Sequence, residues 1–266
     1  MIDLKIKNLP LIISIVSGKG GVGKSIITAN LANTLANNEQ KVLVWDGNYN
    51  FPNQHIMFGI EPPYRAKDTY MGRVNLNSVI YKINDHLYLL ADYSVNEIEL
   101  EIDIDTILNV VKQLITNYDF DFILIDTAAG LSELLLNFIN ISHLVCVVLD
   151  DNPSSLIDSY ALIKIFLRFV NPEQIKLIIN NIIDNEDFNE ITTKINLVSK
   201  NFLRQSFETI GYLPYDREIH KSVIHQELFT NSGNEQLKKY MENLAQYFID
   251  YYKYNNIETT FGILQE

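Results

Sequence analysis

The sequence is short of cysteine, of positive charge and of long apolar runs, and each shortage removes a class of protein. One cysteine, Cys146, among 266 residues leaves no disulfide framework within the chain. It sits in the apolar run 144–149, where a buried, inert thiol is expected rather than a reactive one. No apolar stretch has the length of a membrane span. The stretch 9–16 follows two lysines, as the core of a secretory leader would. It is short and runs straight into a glycine-rich loop without a small-residue cleavage site, so a leader is rejected. Acidic residues number 33 against 21 basic ones, for a net charge of −12 and a pI of about 4.8. That balance argues against a broad nucleic-acid face, and the basic residues are scattered as solvated helix surface. A cytoplasmic location is expected.

The remainder is ordinary for a globular chain, 47% hydrophobic and 20% charged. Apolar, β-branched runs at 11–16, 41–46, 86–91, 120–126, 143–149, 174–179 and 210–213 read as strands. Helical spacing appears at 22–37, 102–117, 131–140, 153 to about 170, 188–206, 217–226 and 235 to about 254. The stretch 47–70 reads as a loop with a short helix at 54–58, and 74–81 as a helical turn. Strands alternate with helices, and the strands are uniformly apolar rather than alternating. That pattern predicts an α/β fold: a doubly wound, mostly parallel sheet with helices on both faces. Without repeats, low-complexity segments or linkers, one domain over 1–266 is expected, with a short tail from about 255. Ligands belong at the carboxyl ends of such strands.

The centre of the chain is the stretch from Ser14 to Ser25. An apolar strand leads into Gly18-Lys19-Gly20-Gly21-Val22-Gly23-Lys24-Ser25, which fits the G-x-x-x-x-G-K-[ST] phosphate-binding loop. Its glycines allow a tight turn that brings successive N–H groups round a triphosphate. Lys24 is placed to neutralise the β- and γ-phosphates, and the Ser25 hydroxyl to take a Mg²⁺ position. The helix opening at Val22 or Gly23 aims its positive end at the anion. Strand 120–126 ends in Asp126, as a Walker B strand delivers a carboxylate for Mg²⁺, and strand 41–46 ends in Asp46. An aspartate ending a strand is otherwise a helix cap about as often as not.

The loop, with Lys19 beside its first glycine, resembles the deviant Walker A loop of the MinD/ParA ATPases, and the likeness extends over nearly the whole chain. The resemblance implies ATP/ADP and Mg²⁺ as ligands, with Lys19 reaching across a homodimer to the partner's nucleotide. It implies backbone contact of Ile26 with the α-phosphate. Asp126-Thr127-Ala128-Ala129-Gly130 resembles the family's Asp-x-x-Ala-Gly run, in which the glycine turn, here Gly130, senses the γ-phosphate. Residues 46–53 resemble switch I, with Asp46 near the metal water. The family's second switch aspartate is Asn48 here, and its Asn-Leu-Asp appears as Asn53-Gln54-His55. Asn48 can bind a water but cannot accept a proton or supply negative charge, so slow hydrolysis is expected. Asn180 matches an asparagine that reads adenine, and Leu213-Pro214-Tyr215-Asp216 stands where a loop packs on the base. The run from Asp151 through Pro153 and Ser155 is similar to the FlhG branch, MinD-like regulators of flagellar number and placement. That likeness implies an unidentified flagellar assembly or regulatory protein as partner.

Other readings stay open at this point. Fe–S carriers of this fold need paired cysteines, which the chain lacks. Tyr240, Tyr247, Tyr251, Tyr252 and Tyr254 could form the autophosphorylation cluster of a tyrosine kinase, but they fall on a closing helix. A DNA-partitioning ATPase conflicts with the acidic balance. A nucleotide-dependent module that no longer hydrolyses ATP is compatible with Asn48. No autonomous membrane anchor is expected, because residues 255–266 carry two glutamates, no basic residue and few apolar ones.

Overall fold

The computed structural model describes residues 9–92, 102–232, 234–255 and 257. Its strands are β1 (Leu11–Val16), β2 (Val42–Gly47), β3 (Ile80–Lys82), β4 (Leu87–Leu90), β5 (Phe122–Thr127), β6 (Leu144–Leu149), β7 (Ile175–Ile182) and β8 (Glu208–Pro214). They form one sheet in the order β3-β4-β2-β5-β1-β6-β7-β8. All neighbours run parallel except the β3–β4 edge pair, which is antiparallel. The helices are α1 (Lys24–Asn37), α2 (Gln54–Met57), α3 (Ala66–Tyr70), α4 (Leu76–Val79), α5 (Ile104–Asn117), α6 (Glu133–Ile141), α7 (Pro153–Phe166), α8 (Asn185–Leu203), α9 (Arg217–Ile224) and α10 (Glu235–Tyr254).

The uniformly apolar strands are explained by two covered faces. Successive side chains point to opposite sides of a strand. In β1, Leu11, Ile13 and Ile15 pack with Ile27 and Leu31 of α1 and with Met241 and Phe248 of α10. Ile12 points the other way, toward Ile107, Val110 and Leu114 of α5, and Val16 joins Ile163 and Phe166 of α7. α1 packs on the sheet with α10 and α2 against its flanks, so it is buried on several sides instead of along one stripe.

This topology sets β2, β5 and β1 side by side at the centre. The phosphate-binding loop, Asp46 and Asp126 therefore leave the sheet at one edge, at the carboxyl ends where such sheets bind ligands.

Several elements differ from expectation. α1 begins at Lys24, not at Val22 or Gly23, because Gly23 takes a left-handed conformation that a helix cannot include. β7 continues through Asn180 and Asn181 to Ile182, with a bulge against β8. The turn expected at 74–81 is split: α4 covers only Leu76–Val79, and β3 pairs with β4. α3 lies inside the stretch read as loop, and α7 stops at Phe166. No described helix is long and apolar enough to cross a membrane. The residues 258–266, which carry most of the no-anchor expectation, lie outside the described ones.

Candidate nucleotide-binding site

The phosphate loop is shaped by where its glycines stand. A Cβ on Gly18 would meet the backbone carbon of Asp158 at 2.5 Å, so only glycine lets α7 seat against the loop. Gly21 and Gly23 have φ of +83° and +94°, a region that side-chain-bearing residues rarely enter. Beneath the loop, Asn180 Nδ2 donates to the Val22 carbonyl at 2.7 Å and fills the space a Gly23 side chain would need. Ser17 Oγ donates to the Lys19 carbonyl at 2.7 Å and accepts from Lys24 Nζ at 2.8 Å. Lys24 is thus folded back over the loop, and burial lowers its pKa while the Asp126 charge opposes that shift.

No side chain caps the N-terminus of α1, and its first turn carries no acid. By contrast α5, α6, α7, α8, α9 and α10 are capped by Asp103, Ser132, Asn152, Asp184, Asp216 and Asn234. Open N–H groups at a helix start suit an anion.

Asp46 and Asp126 are register partners on β2 and β5, both fully buried. Asp46 accepts from the N–H groups of Asn48 (3.2 Å), Asn53 (2.9 Å) and Gln54 (2.9 Å). Burial holds its carboxyl well above the usual range and the Asp126 charge adds to this, while those N–H groups pull it down. Burial also raises Asp126, against the Ser25 hydroxyl, the Gln54 amide and the Lys24 charge. Two buried carboxylates side by side call for a cation.

The oxygens around them fit Mg²⁺. Asp126 Oδ1, Asn53 Oδ1 and Gln54 Oε1 are buried acceptors with no hydrogen-bond partner. A hydrated dication supplies both the missing charge and the missing donors. The donor set is carboxylate, hydroxyl and amide oxygen, which suits a hard cation. Among the described residues no three His, Cys, Asp or Glu side chains gather into a cage. Mg²⁺ needs none, since it is held by one or two carboxylates together with substrate phosphates and water.

Residues 13–229 match the model of the CobQ/CobB/MinD/ParA nucleotide-binding domain. The chain belongs to this family. It is 26% identical over 216 residues to the antiactivator FleN of Pseudomonas aeruginosa, covering 81% of this chain and 77% of FleN. With the flagellum site-determining protein YlxH of Helicobacter pylori it shares 32% identity over 190 residues, 71% of this chain and 64% of YlxH. Its fold is that of the septum site-determining protein MinD from Pyrococcus horikoshii, solved with Mg-ADP. That likeness has a TM-score of 0.73 at 24% identity over 90% of this chain and 96% of the other.

In this MinD/ParA-type chain, a cleft of about 470 Å³ opens over the loop and is lined by Gly20, Gly21, Gly23, Lys24, Ser25 and Ile26. Asn48, Asn53 and Ala128 close its other side. Gly130, at φ +78°, donates its N–H to the Ser17 carbonyl at 3.0 Å, tying the turn after β5 to the loop. The Asn48 amide faces its own segment, donating to the Phe51 carbonyl at 2.9 Å. Lys19 Nζ donates to Ser154 Oγ at 3.1 Å.

Three expected contacts stand outside that cleft. Asn180 supports the loop from behind. Pro214 ends β8 opposite Ile182. Asp216 caps α9, accepting from the Glu218 N–H at 2.7 Å. One residue the motif reading missed stands inside the site. Gln54, fully buried, donates from Nε2 to Asp126 Oδ2 at 2.7 Å and to the Ser25 carbonyl at 3.2 Å. Its only sequence signal is a polar residue where the family's switch carries leucine.

Proposed function

We propose that this protein is a cytoplasmic, ATP-dependent dimerising switch of the MinD/ParA type that regulates the number or placement of a cellular structure such as flagella. The observation that carries this reading is the convergence of the glycine loop, the uncapped start of α1 and the Asp46–Asp126 pair at one edge of the sheet. The likeness to YlxH, a flagellum site-determining protein, supports the flagellar assignment, and the likeness to the antiactivator FleN supports a regulatory one.

In this reading the loop N–H groups and Lys24 hold the phosphates of ATP. Ser25, Asp46 and Asp126 hold Mg²⁺ directly or through water, and the ion would neutralise phosphate charge. Gly130 links the γ-phosphate to the turn after β5. Lys19 leaves Ser154 and reaches the partner subunit's nucleotide, so that ATP closes two copies face to face. The closed dimer presents its surface to a protein partner, and hydrolysis or nucleotide loss opens it.

Asn48 favours a variant of the same reading in which hydrolysis is slow or silent, because its amide brings no negative charge to the attacking water. Light scattering with and without Mg·ATP tests the switch. Conversion from monomer to dimer supports it, and an unchanged monomer that binds no nucleotide overturns it. A pull-down with ATP-loaded protein then identifies the partner.

A further inference from the structure

Gln54 bridges the two acids of the site. Its backbone N–H donates to Asp46 Oδ2 at 2.9 Å, while its side chain donates to Asp126 Oδ2 at 2.7 Å. The neighbouring Asn53 N–H shares the same Asp46 oxygen at 2.9 Å, so the start of α2 is fixed against β2. The orientation of the amide is decided by its partners. Nε2 faces an Asp126 carboxyl oxygen and the Ser25 carbonyl, and the carbonyl, like an ionised carboxylate, can only accept. Oε1 is therefore the remaining atom, and it is buried without a donor.

An apolar side chain at this position would bury the same volume without stranding an oxygen, so the amide needs a reason. Two further buried acceptors lack donors on residues joined to Gln54: Oδ1 of Asp126, the carboxylate that Gln54 holds, and Oδ1 of the adjacent Asn53. Waters bound to a dication are strong donors, because the ion polarises them. Amides that orient ligating carboxylates commonly decide metal affinity.

We propose that Gln54 is a positioning residue of the metal site: Nε2 fixes Asp126, and Oε1 accepts a hydrogen bond from a water in the Mg²⁺ shell. This rests on the Mg·ATP reading above. Gln54 lies off the cleft that the loop lines, so it governs the metal more than the nucleotide.

The test titrates Mg²⁺ against protein and a fluorescent ATP analogue for wild type, Gln54→Leu and Gln54→Met, with an EDTA arm. Mn²⁺ binding followed by electron paramagnetic resonance serves as a second readout, and thermal unfolding without ligand selects the variants that fold. The Mg²⁺ concentration for half-saturation is expected to rise about 10–100-fold in the variants, with nucleotide affinity in EDTA unchanged. Gln54→Met covers the case in which Gln54→Leu does not fold. A folded variant with the wild-type Mg²⁺ midpoint and Mn²⁺ affinity overturns the inference while leaving the ATP reading intact. Wild-type protein that binds no nucleotide with or without Mg²⁺ overturns that reading instead.

Discussion

Lys19 and Ser154 are joined across the mouth of the site, with Nζ 3.1 Å from Oγ at the first turn of α7. The same helix presses on Gly18 through Asp158. The second lysine of the loop is therefore held by its own subunit, away from Lys24, which is folded onto Ser17. An exposed hydrogen bond of this kind contributes only about 0.5–1.5 kcal/mol, so a nucleotide on a partner subunit can displace it.

The first prediction separates the two lysines. Lys19→Ala should keep Mg·ATP binding and lose ATP-dependent dimerisation. Lys24→Ala should lose nucleotide binding itself, because Lys24 is the lysine folded over the phosphate loop, onto Ser17. Calorimetry for binding and light scattering for mass distinguish the outcomes. A Lys19→Ala protein that dimerises fully with ATP would count against the role across the subunit boundary.

Gly23→Ala should destabilise the fold by about 1–3 kcal/mol, the usual cost of forcing a side chain into the left-handed region. The new methyl group would also displace Asn180 from the Val22 carbonyl. Urea denaturation measures the loss. Adding Asn180→Ala should relieve the collision but not the backbone strain, so the double variant should stay less stable than Asn180→Ala alone.

The acid pair predicts a pH dependence with a definite sign. Both folded-state values are raised by burial, Asp46 further by the Asp126 charge, above the ordinary aspartate value of about 3.9. The ligand-free fold binds more protons than the unfolded chain between the ordinary and the raised values. This contribution to stability is full below the ordinary value and is lost as pH rises through the raised ones. Asp126→Asn should therefore show a shallower loss of ligand-free stability than wild type between a pH near the ordinary aspartate value and a pH well above it. Saturating Mg·ATP should flatten the wild-type curve as well. Parallel curves for wild type and Asp126→Asn in denaturant titrations at both pH values would show that the pair does not carry the effect.

The sequence made the loop, the Asp126 strand and the parallel architecture legible because each is local. Gly18 to Ser25 is a contiguous motif, and uniformly apolar strands report covered faces directly. What escaped it depends on distant partners. Gln54 finds Asp126 only because β2 and β5 are neighbours, 72 residues apart along the chain at that contact. β3 is three residues long and only partly buried, so its pairing with β4 leaves almost no pattern to read. Asp216, which the family resemblance sets in the loop beside the base, caps the start of α9, a role that depends on where that helix begins. Asn180, which the resemblance sets against the base, reaches the loop from β7, 158 residues along the chain, through its bond to the Val22 carbonyl.

The last prediction concerns turnover. The Asn48 side chain donates to the Phe51 carbonyl at 2.9 Å, and its N–H donates to Asp46 Oδ1 at 3.2 Å. The residue is therefore held at the edge of the cleft without a charge to offer. Asn48→Asp would break the bond to Phe51, because a carboxylate cannot donate. It would also add a third acid beside a pair already crowded by burial, so the ligand-free protein should become less stable. In exchange the attacking water gains a negative partner for its developing positive charge. Groups of this kind are commonly worth about 10²–10³-fold in rate. Single-turnover hydrolysis of Asn48→Asp should rise by up to that factor, with ATP affinity little changed and a shorter-lived ATP dimer. Asn48→Ala should hydrolyse no faster than wild type, which separates gain of charge from loss of the Phe51 tether. If wild type already turns over as fast as Asn48→Asp, the water is positioned elsewhere, with Asp46 the first residue to test, and the long-lived dimer is excluded.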